Sequence, residues 1–297
     1  MKRILLSIAL CFYCTVTFGQ NPIRKIEKAI RGKQASIGIA ILCGDKTFTI
    51  ANDKQYPIMS VFKLPIAVAA LKKMETENIP LDSMAYMEPE QIHKNTYSPL
   101  RDKHPQGRIR ISYREAIEYT VAHSDNNTCD WLIEFAGGIN NIDAYMKSLG
   151  IEDLNLTETE HDMHVNIMNC YNNWSTPLSI ARLLKKIYTE NVLTEEHFAF
   201  LEKTMLDCSS GKDKLKAGLP AGIPLAHKTG HSDRMPDGLQ ISDADVGVIY
   251  LPDGEKCFLV VLIKDSRETD RDNAGIMADI AGITYRSLQK RHLQKPM

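Results

Sequence analysis

The sequence predicts an α+β protein whose antiparallel sheet is drawn from both ends of the chain, with a helical insertion between them. Three observations carry this. Near the start, "ASIGIAILCGDKTFTIAND" reads as two strands joined at Gly44-Asp45. Near the end, "DADVGVIYLPDGEKCFLVVLIKDS" reads as a second hairpin turning at Asp253-Gly254. Between them, from Ser60 to about Leu206, the signals are overwhelmingly helical. Strands from both termini building one sheet, with helices inserted, give an α+β domain beside an all-α one.

Each element has its own local signal. Pro22 to Arg31 has the apolar spacing of a short amphipathic helix. Ser112 with Glu115 forms a capping box ahead of "AIEYTVAHS". Thr176-Pro177 places a capping hydroxyl before a proline at the first helical position, and Thr194-Glu-Glu opens another helix. "GIPLAHKTG" is a late strand, and the chain closes with an amphipathic helix from about Arg271 to Gln289. The expected division is a discontinuous α/β domain from 20–54 and 210–297, and an all-helical domain from 55–209. A cleft between two such domains suits a small molecule.

Composition narrows the class. The chain has 297 residues, 43% hydrophobic and 25% charged, which fits a soluble globular protein. Its formal net charge of −1 gives no reason to expect a nucleic-acid partner. The start, "MKRILLSIALCFYCTVTFGQ", has a basic end followed by an apolar core too short to span a membrane. Thr17 and Gly19 sit at the small-residue positions before a cut. This is the order of a secretory signal over residues 1–19, cleaved near Gly19, and it implies a periplasmic or secreted protein without stable membrane insertion. Cys43, Cys129, Cys170, Cys208 and Cys257 remain, an odd and scattered set that does not form a disulfide framework.

One helical run poses a chemical question. "YPIMSVFKLPIAVAAL" is apolar except for Ser60 and Lys63, and an unpaired ammonium among such neighbours is costly. If Ser60 opens the helix, Lys63 lies one turn on and on the same face. Apolar neighbours Val61, Phe62 and Leu64 favour a neutral amine, which can activate a serine as nucleophile. The spacing alone is weak, since Ser-x-x-Lys recurs at Ser209/Lys212 and Ser287/Lys290 in polar settings. A lysine that merely snorkels to the surface is the plain alternative. Ser124-Asp125-Asn126 at a helix junction and Lys228-Thr229-Gly230 on the late strand change the balance.

In this order, Ser60-x-x-Lys63, Ser124-Asp-Asn126 and Lys228-Thr-Gly230 resemble the signature of class A serine β-lactamases, shared in part with penicillin-binding proteins. "YSP" at Tyr97, Gly137-Gly138 and "AGLPAG" at Ala217 add smaller matches over the whole mature chain. The resemblance implies a helical domain beside a five-stranded sheet, a β-lactam as small-molecule substrate, no cofactor, a monomer and a role in antibiotic resistance. It implies Ser60 as nucleophile, Lys63 in its proton network, and Ser124 beside Lys228 passing a proton to the leaving nitrogen. The backbone N–H groups of Ser60 and His231 would form the oxyanion hole, with Gly230 leaving room for substrate. Asn126 and Tyr97 would lie along the substrate, and Thr229 with Lys228 would bind its carboxylate. Lys214 would assist at that end.

A β-lactamase also needs a carboxylate that hydrolyses the acyl-enzyme. Glu160, 36 residues after Ser124, is that residue by position, with Glu158 and Asp162 as competitors. The family usually reads Glu-x-x-x-Asn here, whereas this chain has His164 at the last place, a substitute for positioning the water. The arginine and aspartate that commonly pair across the neck of this loop are Glu158 and Asn173, so that ion pair cannot form. Similar replacements mark a cephalosporin-hydrolysing branch, so cephalosporins are the expected substrates. Met59 and Ser232 leave no disulfide of the class A carbapenemase kind. The cluster Glu160-His161-Asp162-His164 lacks a third distant ligand, so no metal is expected. The rivals are a penicillin-binding peptidase, a non-hydrolysing β-lactam sensor and a serine-dependent glutaminase.

Overall fold

The structure, a computed structural model, describes residues 22–105 and 107–292, and the signal segment read at 1–19 lies outside them. Helix α1 (Pro22–Ile30) leads into β1 (Ser36–Cys43) and β2 (Lys46–Ile50). The two-residue strand β3 (Tyr56–Pro57) and a 3₁₀ turn, Met59–Phe62, precede α2 (Lys63–Glu77). Then come β4 (Met84–Met87), α3 (Pro99–Lys103), β5 (Ile109–Ser112), α4 (Tyr113–Ala122), α5 (Asn126–Phe135) and α6 (Ile139–Ser148). Strand β6 (Leu154–Asn155), helix α7 (Glu160–Val165), strand β7 (Trp174–Ser175) and helices α8 (Pro177–Thr189) and α9 (Glu195–Leu206) complete the insertion. Strands β8 (Leu225–His231), β9 (Gln240–Tyr250) and β10 (Lys256–Ser266) and helix α10 (Asp270–His292) close the chain.

The main sheet is antiparallel, in the order β2-β1-β10-β9-β8. Both hairpins form where the sequence places them. Cys43 pairs with Lys46 around Gly44-Asp45, and Tyr250 pairs with Lys256 around Asp253-Gly254. Gly44 has φ 54° and Gly254 φ 86°, the left-handed backbone such tight turns require. β1, from the N-terminal half, lies beside β10 over eight paired positions, so the sheet closes only when both ends of the chain are present.

Both faces of the sheet are covered, which is why β1 is buried at seven of its eight positions. Ile39, Ile41, Leu259, Val261 and Ile263 pack against Ile26 of α1 and Met277 and Ile280 of α10. Ala40, Leu42, Val246, Val260 and Leu262 face the other way and share a core with Ile180, Leu183 and Leu184 of α8. That second core continues into α2, whose Leu64, Ile66, Val68 and Leu71 are fully buried. Each such side chain contributes about 1.5–3 kcal/mol. Helix α2 is apolar nearly all round because it is the central helix, and it ends at Asn78 in a left-handed cap, φ 54°.

The insertion is not purely helical. β3, β7 and β6 form a three-stranded sheet, and β4 pairs with β5. Strands of two residues are too short to leave an alternating pattern. The caps act as read: Ser112 and Glu115 bond reciprocally, and Thr176 and Thr194 each accept a backbone N–H three residues on. Among the described residues no helix is long and apolar enough to cross a membrane.

Candidate active site

Ser60 does not open a helix. It lies inside the 3₁₀ turn Met59–Phe62, and α2 begins only at Lys63. Pro65 is then the third helical residue, where no intrahelical N–H bond is required. Met59, just before the serine, has φ 43°, and Ser124 has φ 58°. Left-handed backbone in non-glycine residues costs about 1–3 kcal/mol each and persists where the surroundings fix it. Here it aims two hydroxyls at one lysine.

Lys63 is fully buried, and its Nζ end is surrounded by oxygen rather than by the apolar groups its neighbours in sequence suggest. Nζ lies 2.7 Å from the Ser124 carbonyl, 2.6 Å from Asn126 Oδ1, 3.1 Å from Ser60 Oγ and 3.3 Å from Ser124 Oγ. Glu160 Oε1 is 2.9 Å away and is itself 3.4 Å from Ser60 Oγ. The Ser124 carbonyl and Asn126 Oδ1 only accept, so they take two of the amine hydrogens. The remaining position is shared by Ser60 and Glu160, and a proton can move along that line.

On the far side, Lys228 donates to Ser124 Oγ at 2.9 Å and to the Thr229 carbonyl at 2.9 Å. Burial, and then the charge of Lys63, lower its pKa to about 8. The second motif is held from beneath by Asp125, which caps α5 through the Thr128 N–H and accepts from Ser98 Oγ and the Leu100 N–H, each at 2.8 Å. Asn126 also bonds Thr96 Oγ1 at 2.7 Å, and its N–H donates to the Tyr97 carbonyl. These bonds tie the segment of Tyr97, a residue 62% exposed, to the floor of the cleft.

Strand β8 touches the Met59–Phe62 turn through Gly230. A Cβ there would lie 2.5 Å from the Ile58 carbonyl and 3.3 Å from the Ser60 nitrogen. The glycine is thus required by contact with the protein's own backbone, before any substrate is considered. Thr229 Oγ1 is 2.6 Å from Ser210 Oγ, a residue the sequence reading missed. His231 lies 3.4 Å from Asp243, and Lys214 is buried behind it, bonded to the same carboxylate. Lys214 is outside the cleft wall.

Glu160 is the first residue of α7 and is held by its backbone. Its N–H donates to Asp130 Oδ1 at 2.8 Å, and that of His161 donates to Oδ2 at 2.9 Å. Asp130 lies one turn along α5 from Asn126, so the i, i+4 spacing was the available signal. Burial, with the nearby Glu160 charge, raises the Asp130 pKa to about 7. The loop neck has no ion pair between 158 and 173. The Asn173 amide instead accepts the N–H groups of Thr157 and Glu158, at 2.8 and 3.0 Å, and donates to the Glu158 carbonyl at 2.8 Å. Glu158 and Asp162 are directed elsewhere, to Asn172 and to the Thr159 cap. His164 lies on the cleft wall, exposed, with no hydrogen bond to Glu160 among the described residues.

These groups open on a cleft of about 870 Å³, lined by Ser60, Ser124, Asn126, Glu160, Thr229 and His231 among others. That is room for a small bicyclic molecule with side chains. A buried lysine joining two serines and a carboxylate, with a second lysine behind, is equipped for acyl transfer.

Comparison with known proteins agrees with this geometry. Residues 20–288 match the family described as the beta-lactamase enzyme family. A beta-lactamase of Bacteroides uniformis is 40% identical over 97% of this chain and 100% of its own length. The extended-spectrum beta-lactamase PER-1 of Pseudomonas aeruginosa is 33% identical over 91% of this chain and 88% of its own. The crystal structure of a representative of class A beta-lactamase from Bacteroides cellulosilyticus superposes with TM-score 0.89 at 43% identity, covering 91% of this chain and 97% of that one. The chain therefore belongs to the β-lactamase enzyme family and is a class A β-lactamase, a hydrolase.

Proposed function

We propose that this chain hydrolyses β-lactams through an acyl-enzyme on Ser60 and favours cephalosporins. Ser60 Oγ attacks the lactam carbonyl and gives its proton to the Lys63–Glu160 pair. The backbone N–H groups of Ser60 and His231 receive the oxyanion. Ser124, bonded to both lysines, protonates the leaving nitrogen. Lys228 and Thr229 hold the substrate carboxylate, and Lys214 supports that end through Asp243 and His231. Asn126 and Tyr97 line the substrate's amide side. Glu160 then activates water to release the acyl group, with His164, one turn along α7, orienting that water.

The observation that carries this reading is the position of Glu160 Oε1, 3.4 Å from Ser60 Oγ and 2.9 Å from Lys63 Nζ. A carboxylate at that range can serve the acyl carbon once Ser60 is esterified. The cephalosporin preference rests on the loop bearing Glu160. Asn173 ties its neck to backbone where other members use an ion pair, and His164 replaces the usual amide. Export before action, with cleavage near Gly19, and activity as a monomer belong to the same reading.

The test is steady-state turnover of a chromogenic cephalosporin and a penicillin by the purified mature chain. Many turnovers, with the larger kcat/KM for the cephalosporin, support the reading. A single equivalent of product followed by silence would sink the release step, and a penicillin preference would sink the substrate assignment.

A further inference from the structure

His93 stands between β4 and α3, in the segment that runs on through Lys94 and Thr96 to Tyr97 along the cleft wall. The buried Asn127 of α5 fixes its backbone twice. The His93 N–H donates to Asn127 Oδ1 at 2.9 Å, and its carbonyl accepts from Asn127 Nδ2 at 3.2 Å. Arg101 of α3 donates to the same carbonyl at 3.1 Å and to those of Lys94 and Thr96 at 2.8 and 2.7 Å. One turn along α5 from Asn127, Asp130 holds the N–H groups of Glu160 and His161. The two anchored segments meet through their imidazoles. The rings of His93 and His161 are stacked, with centroids 4.1 Å apart and an angle of 15° between their planes.

We propose that His93 and His161 are positioning residues whose stack locks the start of α7, and with it Glu160, to the Tyr97 segment, and that acid releases the lock. Asp130 holds α7 by backbone at one point only. The stack adds a second attachment, on the exposed side of the helix, so α7 cannot pivot about the first without parting the rings. The consequence for turnover rests on Glu160 as the carboxylate that activates water. The stack itself does not depend on that reading.

Two imidazoles can lie face to face while at most one is charged, whereas a second proton sets like charges one ring spacing apart. Burial first, and then the charges of His161 and His164, lower the His93 pKa from its ordinary 6.5, with Glu134 of α5 acting against them. Asp162 of α7 interacts with His161, and Lys94 and Arg101 are the cations on the loop side. A ring that takes a proton less readily in the stack takes it more readily outside, so the stack weakens as pH falls below 6.5.

Two measurements on the mature chain need no substrate. An NMR titration should place the His93 midpoint below 6.5, rising by about half a unit in His161→Phe, which keeps an aromatic face but cannot take a proton. Amide exchange at Glu160, at pH 7, should be about tenfold faster in His161→Ala and unchanged in His161→Phe. In steady-state assays with a chromogenic cephalosporin at pH 7, His161→Ala should lose about fivefold in kcat with KM falling alongside, and His161→Phe should restore both. Between pH 7 and pH 5 the wild type should lose about threefold more kcat than His161→Phe, a comparison from which titrations common to both chains drop out. A His93 midpoint at or above 6.5, or one unmoved in His161→Phe, would overturn the acid release. Unchanged Glu160 exchange in His161→Ala, or no rescue by the phenylalanine, would overturn the positioning role. Faster exchange in His161→Ala with unaltered kcat would uphold the lock and count against Glu160 as the releasing carboxylate.

Discussion

Asp130 accepts the backbone N–H of Glu160 at 2.8 Å and that of His161 at 2.9 Å, so the carboxylate that faces Ser60 is placed by a residue on another helix. It satisfies two of the free N–H groups at the start of α7. Asp130→Ala is expected to lower kcat by ten- to a hundredfold, because Glu160 loses its fixed position while Ser60 and Lys63 keep theirs. KM should fall as well, since release becomes slower than acylation. Asp130→Asn, which keeps one accepting oxygen, should recover part of the rate. Steady-state kinetics on the two variants check this, and equal losses in kcat and kcat/KM would point instead to damaged acylation.

The depressed pKa of Lys228 is expected to set the alkaline limit of activity. Its ammonium donates to Ser124 Oγ, and above about pH 8 that proton and charge are lost. The kcat/KM for an anionic β-lactam should fall as pH rises through about 8, with kcat less affected because bound carboxylate favours the charged lysine. Folding responds in the opposite sense. Between about 8 and the ordinary lysine range near 10.4 the unfolded chain binds the extra proton, so the contribution of Lys228 to stability rises with pH there. Lys228→Arg keeps its charge throughout. A pH profile of that variant should lose the limb near 8, and one unchanged from wild type would remove Lys228 from the account.

Gly230→Ala introduces a methyl group 2.5 Å from the Ile58 carbonyl. Strand β8 must move off the nucleophile turn, so a loss of about 1–3 kcal/mol in stability is expected. The kcat/KM should fall at least a hundredfold through displaced oxyanion donors. Urea denaturation and turnover assays on the same variant measure both. Lost activity with undiminished stability would mean that the substituted side chain disturbs the substrate rather than the backbone contact.

Lys63→Met removes the group on which the cluster converges. Glu160 then remains with a buried charge and the Ser124 carbonyl loses its donor, so about 3–5 kcal/mol of stability is expected to go. The variant should still fold, since the long apolar side chain fits the buried path, but acylation should drop by three orders of magnitude or more. Burst kinetics with a chromogenic cephalosporin measures that step directly. Near-normal acylation would remove Lys63 from the proton path.

Much of this architecture is legible in the sequence because its signals are local. Hairpins announce themselves by Gly44-Asp45 and Asp253-Gly254, and helix starts by Ser112, Thr176 and Thr194, whose partners lie three residues away. The three motifs could be read as one site only through their resemblance to a family, because nothing local brings Ser124 to Lys228 across 104 residues. What escaped reading is the support. Asp130 looks like any helical acid until α7 folds onto it, and Asn173 replaces an ion pair with amide bonds that composition does not reveal. Lys214, read as a substrate contact from a loop position, is turned into the protein by Asp243, 29 residues away on β9. The left-handed backbone of Met59 and Ser124 has no residue-type signal, since neither is glycine.

The release step is tested most directly by mixing Glu160→Ala with a chromogenic cephalosporin and following product past one equivalent, with the intact mass read in parallel. The wild type should continue through many turnovers, while the variant should stop after about one equivalent and carry the opened substrate on Ser60. Continued turnover by Glu160→Ala near the wild-type rate, or a stalled variant with no adduct on Ser60, would contradict the account.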